Sequence, residues 1–264
     1  MGSIQPGMVT VTLGTGGLVI VSLARPIDGI GGLMITNHAA PGLWEAEGAS
    51  TAAASAYRWF RDTLGTAEQN LEARHGRSAY AYLDDLAAAA PAGSKGLLFL
   101  PYLATAVTPR WNANARAAFI GLSFAHGRSE MIRAVLEGVV LEVRDMMASW
   151  PQAGVHVDHI RLGGGATRSA LWNHIQADVY GRPVQILKSG ESTALGAAIL
   201  GGVGAGIFHS MAEGVHQMVH VTSVVEPNMA HHRIYEDLYQ AYVQAYEGLT
   251  RGHAFKTLAH IQAQ

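Results

Sequence analysis

At 264 residues, with 49% hydrophobic and 14% charged positions, the chain has the composition of an ordinary globular protein and is long enough to bury a full core. A formal net charge of −2 gives no electrostatic case for nucleic acid or for an anionic membrane surface. The absence of cysteine excludes disulfides and thiolate metal sites and fits a reducing compartment. No apolar run is long enough to span a bilayer. The N-terminal MGSIQPGM lacks the basic and apolar regions of a signal peptide, and Pro6 stands where N-myristoylation needs Ser or Thr. A cytoplasmic α/β protein is expected.

The first elements are two β-branched runs, Met8 to Thr12 and Leu18 to Ser22, joined by Leu13-Gly14-Thr15-Gly16-Gly17. This reads as a β-hairpin whose turn presents backbone N–H groups and the Thr15 hydroxyl to an anion. Gly29 to Gly32 reads as a loop, and Leu33 to Ile35 as a short strand. Residues 49–64 are expected to be helical, alanine-rich at first, with Gly65 as C-cap. Residues 66–90 read as a polar connector carrying a short helix from Tyr80 to Ala89. Gly96 to Leu100 is a strand stopped by Pro101, and Ala117 to Leu122 is a second one. Between them the polar loop Tyr102 to Arg116 carries Arg110, Trp111, Asn112 and Asn114.

Ser129 is the expected N-cap of a long amphipathic helix to about Ala148, because Ile132, Val135, Leu136, Val139, Val140 and Val143 recur at helical spacing. Strands at Val157 to Leu162 and Val184 to Leu187 alternate with helices at Ser169 to Tyr180 and Thr193 to Gly206. That alternation argues for one α/β sandwich domain. The last helix, Ala230 to Glu247, carries a tyrosine stripe that reads as core or subunit interface.

Two segments have the chemistry of phosphate sites. One is the hairpin turn. The other is Leu162-Gly163-Gly164-Gly165-Ala166-Thr167-Arg168-Ser169, where missing side chains let the backbone approach a phosphate and free N–H groups at a helix start favour negative charge. Either alone is weak; together they are more specific, since a triphosphate in a cleft is gripped from both sides. No Walker A sequence, no His-Glu-x-x-His helix and no Gly-x-Ser-x-Gly elbow occurs. His231-His232 reads as solvated rather than metal-binding.

The segments PGMVTVTLGTGG, GLLFLPYL, TPRWNANARAAFIGLSFAHGR, IRAVLEGVVLEVRD, LGGGATRSALWNHIQADVYGRPVQIL and ESTALGAAILGGVGAGIF follow one another from about residue 5 to 208. In that order they resemble the C-terminal half of FGGY-family carbohydrate kinases, closest to the xylulokinase-like members. The resemblance implies a ribonuclease H-like, actin-like ATPase lobe, a mixed sheet flanked by helices, with residues 1–264 forming a single nucleotide-binding lobe. It implies that Gly14, Thr15 and Gly16 contact the β- and γ-phosphates of ATP, and that Gly164, Gly165, Ala166 and Ser169 contact the α-phosphate and adenosine. Mg²⁺ would be held through the phosphates, and the γ-phosphate would pass to a hydroxyl of a ketose such as xylulose, leaving ADP.

The resemblance also implies what this sequence does not carry: a DxGTxxxR phosphate hairpin, most of the sugar contacts, and a catalytic aspartate in a Gly-Asp-Gln context. None of Asp28, Asp62, Asp84, Asp85, Asp145, Asp158, Asp178 or Asp237 stands in such a context, so that base is expected upstream of Met1. Losing a positioned base costs about 10²–10⁴-fold, so no sugar kinase activity is expected of this chain alone. Where xylulokinases read Ser-Gly-Glu-Arg-Thr-Pro, this chain has Ala104-Thr105-Ala106-Val107-Thr108-Pro109, which leaves the sugar open. Glu191 matches a family position whose role the sequence does not reveal. A homodimer through an exposed inter-lobe face around Ala52 to Trp59 is a further expectation. The alternative is a lobe that binds a nucleotide or a partner without catalysis. A relative from another actin-like branch is a third reading.

Overall fold

The computed structural model describes residues 1–28 and 30–264; of the loop expected at Gly29 to Gly32, Gly29 lies outside the described residues. The β-branched N-terminal runs form strands β1 (Met8–Leu13) and β2 (Gly17–Leu23), antiparallel, with Leu13 opposite Gly17. Alternation along them drives Val9, Val11, Val19 and Val21 into the core, where each is fully buried. β2 also pairs with β4 (Trp44–Ser50), and β4 with the edge strand β3 (Met34–Asn37). On the other side of β1, strands β7 (His159–Gly163) and β8 (Val184–Leu187) run parallel to it. An antiparallel β9 (Val221–Val225) closes that edge, giving the order β3-β4-β2-β1-β7-β8-β9.

β4 corrects the reading of residues 49–64. Ser50 ends a strand opposite Gly17, and the helix, α1 (Ala54–Leu64), starts only at Ala54. The strand signal in WEAEGAS is faint because its inward positions are Ala46, Gly48 and Ser50, none of them a β-former. The alanine-rich start of α1 is internal: Ala52, Ala53, Ala56 and Tyr57 are buried within the chain, so this segment is not the exposed inter-lobe face expected of it. α2 (Thr66–His75) occupies what reads as connector, and α3 (Ala79–Ala88) follows it. Among the described residues, strands β5 (Leu98–Leu100) and β6 (Ala118–Ile120) pair only with each other.

Helix α4 (Arg128–Met147) lies against the sheet and buries all six residues of its expected apolar stripe. It begins one residue before Ser129: Gly127 is the N-cap, and its N–H donates to the Glu130 carboxylate at 2.9 Å. A Cβ on Gly138 would stand 2.2 Å from the Phe99 carbonyl oxygen, so glycine there sets how closely α4 meets β5. Beside it Glu137 is wholly buried and accepts from Gly93 N, Ser94 Oγ, Arg133 Nε and Tyr235 Oη at 2.7–3.0 Å. Four donors on one carboxylate offset part of the desolvation, which still pushes the carboxyl above its ordinary value.

Helix α5 (Ala170–Tyr180) packs on α4 and sends Trp172 Nε1 to the Leu136 carbonyl at 3.1 Å. α6 (Ser192–Gly204) departs from the close sheet packing expected of a glycine-laced helix, since only Ile199 and Gly202 are buried. α7 (Met211–Met218) and β9 fall where no element is expected. The tyrosine stripe of α8 (Met229–Arg251) turns inward, burying Tyr235, Tyr239, Tyr242 and Tyr246, and α9 (Ala254–Gln262) completes the chain. His231 is not simply solvated: its Nδ1 lies 2.9 Å from Asp178 Oδ2, next to the α8 N-cap. No helix among the described residues is long and apolar enough to cross a membrane.

Candidate functional site

Parallel pairing of β1 and β7 puts Thr12 opposite Gly163, so the two glycine segments leave the same end of neighbouring strands. They touch. Gly164 adopts φ +81°, and a Cβ there would lie 2.5 Å from the Leu13 carbonyl oxygen. Only glycine meets both the left-handed φ and that close approach.

The hairpin turn is anchored through its carbonyls. Gly14 O accepts from Ala54 N at 2.8 Å, while Thr15 O accepts from Ala53 N at 3.2 Å and from Ser55 Oγ at 2.7 Å. The first N–H groups of α1 are thereby consumed, and the positive end of that helix sits directly behind the turn. Gly14 N closes the turn on Gly16 O at 2.9 Å. Among the described residues nothing accepts from the N–H groups of Thr15 and Gly16, and Thr15 is exposed. Carbonyls inward and N–H groups outward is the polarity an anion needs.

The second segment differs from the strand–glycine–helix junction expected of it. A single 3₁₀ turn, Gly165–Arg168, stands between β7 and α5, held by Thr167 Oγ1 on Gly164 O at 2.8 Å. Ser169 is the N-cap of α5, its Oγ accepting from Trp172 N at 3.1 Å, so the helix start is already occupied by its own cap. The groups left open to a ligand are those of the glycine turn. Gly165 is exposed, with open space where a Cβ would be, whereas Ala166 is buried.

A pocket of about 450 Å³ opens beside this turn, walled by α1, α3 and α5. Gly165, Ala166, Ser169 and Arg168 form one side; Tyr57, Tyr80 and Asp84 face them. The Tyr57 ring meets Trp172 edge-on, centroids 5.7 Å apart, and its hydroxyl donates to Asp84 Oδ1 at 2.8 Å. Burial pushes the Asp84 carboxyl up from the ordinary aspartate value, with the hydroxyls of Tyr57 and Ser169 pulling the other way. Burial likewise raises the Tyr57 phenol.

The structure thus brings Gly14, Thr15, Gly16, Gly164, Gly165, Ala166 and Ser169 to one end of the sheet. Sequence reasoning missed the opposite wall, because Asp84 and Asp85 look alike on a short helix; only the packing of α3 on α1 turns Asp84 inward. Glu191 stands exposed at the N-cap position of α6 and makes no side-chain cap. Ser192 Oγ, one residue on, is buried without a partner among the described residues, 2.7 Å from where a Cβ on Gly163 would lie. Larger hollows of about 540 and 690 Å³ open at the opposite end of the sheet around His156 and Asp158. There Arg144 is taken by Glu236, and Arg182 donates to the Val157 carbonyl. Among the described residues no group of three or more His, Asp or Glu side chains is arranged to hold a metal ion.

Residues 9–205 match the family described as the C-terminal domain of the FGGY family of carbohydrate kinases. The chain belongs to the FGGY family. Among curated relatives, a xylulose kinase of Staphylococcus epidermidis is 32% identical over 247 residues, covering 93% of this chain and 48% of the relative. An autoinducer-2 kinase of Yersinia enterocolitica is 32% identical over 241 residues, covering 89% and 45%. Among solved structures, ligand-bound xylulose kinase from Lactobacillus acidophilus superposes with a TM-score of 0.82 at 26% identity, over 94% of this chain and 48% of that one. Xylulose kinase from Rhodospirillum rubrum gives 0.80 at 33%, over 95% and 49%. The fold is therefore that of the actin-like ATPase sugar kinases, and this FGGY chain spans about half the length of the relatives it matches.

Proposed function

We propose that the chain is the nucleotide-binding half of an ATP-dependent sugar kinase. Gly14, Thr15 and Gly16 take the β- and γ-phosphates through outward N–H groups and the Thr15 hydroxyl. Gly164, Gly165 and Ala166 receive the α-phosphate by close backbone approach, and the adenosine enters the pocket bounded by Ser169. The observation that carries this reading is the contact of Gly164 with Leu13, which fuses two otherwise ordinary glycine turns into one cradle. Mg²⁺ would be held through the phosphates gripped by Gly14, Thr15 and Gly16 and would supply charge neutralisation there.

The acceptor is a sugar hydroxyl, that of a ketose such as xylulose, a reading supported by relatives named xylulose kinase. The general base and most sugar contacts belong to the other half of such a kinase, so this half by itself binds nucleotide and does not phosphorylate sugar. Relatives named for xylulose and for autoinducer-2 match this half equally well, which fits an acceptor chosen elsewhere. A second reading, a nucleotide-binding module without catalysis, is favoured by one observation: both turns and the pocket are assembled entirely from this chain.

The test is calorimetric titration with ATP and ADP alongside an assay of xylulose-dependent ADP release. Binding without turnover, and turnover once the first half of a related kinase is supplied, supports the kinase reading. Micromolar binding that such a half neither tightens nor converts to turnover supports the module. Sugar-dependent ADP release by the chain alone overturns the assignment of the base to the other half.

A further inference from the structure

The pocket beside the glycine turn has one wall that the phosphate chemistry does not use. Tyr57, Tyr80 and Trp172 supply flat apolar surface, and among them stands a single carboxylate, Asp84. Its Oδ1 is tied to the Tyr57 hydroxyl at 2.8 Å, and the Ser169 hydroxyl also stabilises the carboxylate from the glycine-turn side. Tyr57 is itself fixed by burial and by its ring contacts with Tyr80 and Trp172, at 5.2 and 5.7 Å. Two hydroxyls therefore orient the carboxylate, which keeps acceptor capacity for a further donor in the pocket. Among the described residues no cation pairs with it: Arg77, just before this helix, pairs with Asp85 at 2.6 Å instead.

We propose that Asp84 selects the base of the bound nucleotide, its carboxylate accepting from the exocyclic amine of an amino-purine and rejecting a 6-oxo purine. This rests on the nucleotide reading of the site given above. An oxo group at that position would set a second acceptor against the carboxylate, leaving both buried and unpaired, and such mismatches discriminate more strongly than lost apolar contact. Tyr57 is the positioning residue. Its hydroxyl orients the carboxylate, and its ring bounds the slot in which a planar base would lie.

The test is titration of the chain with ADP and with inosine diphosphate, whose base carries an oxo group in place of the amine and a proton on N1. The wild type is expected to prefer ADP by about tenfold or more. Asp84→Asn is expected to bring the two affinities within about threefold, because the amide turns its NH₂ towards an oxo group as readily as its oxygen towards an amine. Circular dichroism checks that the variant folds; if it does not, Tyr57→Phe carries the test, with the preference expected to fall several-fold as Asp84 loses its anchor. ADP binding with an unchanged preference in a folded variant overturns the role of Asp84 and leaves the nucleotide site standing. Failure of the wild type to bind either nucleotide overturns the nucleotide reading and this inference with it.

Discussion

Gly164 is pressed against Leu13 so closely that one added carbon would stand 2.5 Å from the Leu13 carbonyl oxygen. A carbon added to its neighbour Gly165 would meet nothing within 4 Å. Two adjacent glycines thus serve different ends, one joining two strands and the other keeping space open.

Gly164→Ala is expected to destabilise the fold by about 2 kcal/mol or more, since it combines a left-handed φ with a backbone clash. Gly165→Ala is expected to leave stability within about 0.5 kcal/mol, as surface substitutions do. It should nevertheless weaken ADP binding by about tenfold, because its methyl occupies the approach to the phosphates. Urea unfolding beside calorimetry separates the two; equal effects of both variants on stability would refute the division.

Much of this was legible in the sequence, and the failures share a cause. The 20-residue α4 and the hairpin announce themselves because their apolar residues repeat with the period of the element. β4 hides because Ala46, Gly48 and Ser50 face inward, and α2 hides because Glu68 is its one buried residue, paired with Arg128 at 2.7 Å. Where packing rather than periodicity decides, local pattern is mute. The glycine turns could be found since a turn's chemistry is local. Tyr57 and Asp84, 27 residues apart on different helices, are joined only by the tertiary fold.

Arg133 and Glu137 form a buried ion pair at 2.7 Å on successive turns of α4. Glu137→Gln leaves the Arg133 guanidinium buried without its counter-charge, and a loss of about 3–5 kcal/mol is expected from breaking such a pair. Replacing both residues together should cost less than the sum of the single changes, a coupling that a double-mutant cycle in urea reads directly.

Thr15 is exposed, and its hydroxyl makes no hydrogen bond to the described residues. Thr15→Ala is therefore expected to leave the unfolding midpoint unchanged while weakening ATP more than adenosine, by several-fold, through loss of one phosphate contact. A fall in stability, or an equal loss for ATP and adenosine, would show that the side chain serves the turn and not the phosphate.

Glu142 holds a proton that the unfolded chain would release. It is wholly buried in α4, accepting from Ser50 Oγ at 2.6 Å, and burial, with the Asp145 charge adding to it, pushes its carboxyl up from 4.5 to about 8. Between those two values the folded state binds more protons than the unfolded one. The linkage relation then makes this residue's contribution to stability fall as pH rises through that window and level off above it, a total on the order of a few kcal/mol. Glu142→Gln keeps an acceptor for Ser50 and removes the titration. Its unfolding free energy should match the wild type near pH 4.5 and exceed it increasingly towards pH 8, where a gap that fails to widen would show that the carboxyl is ionised in the folded protein.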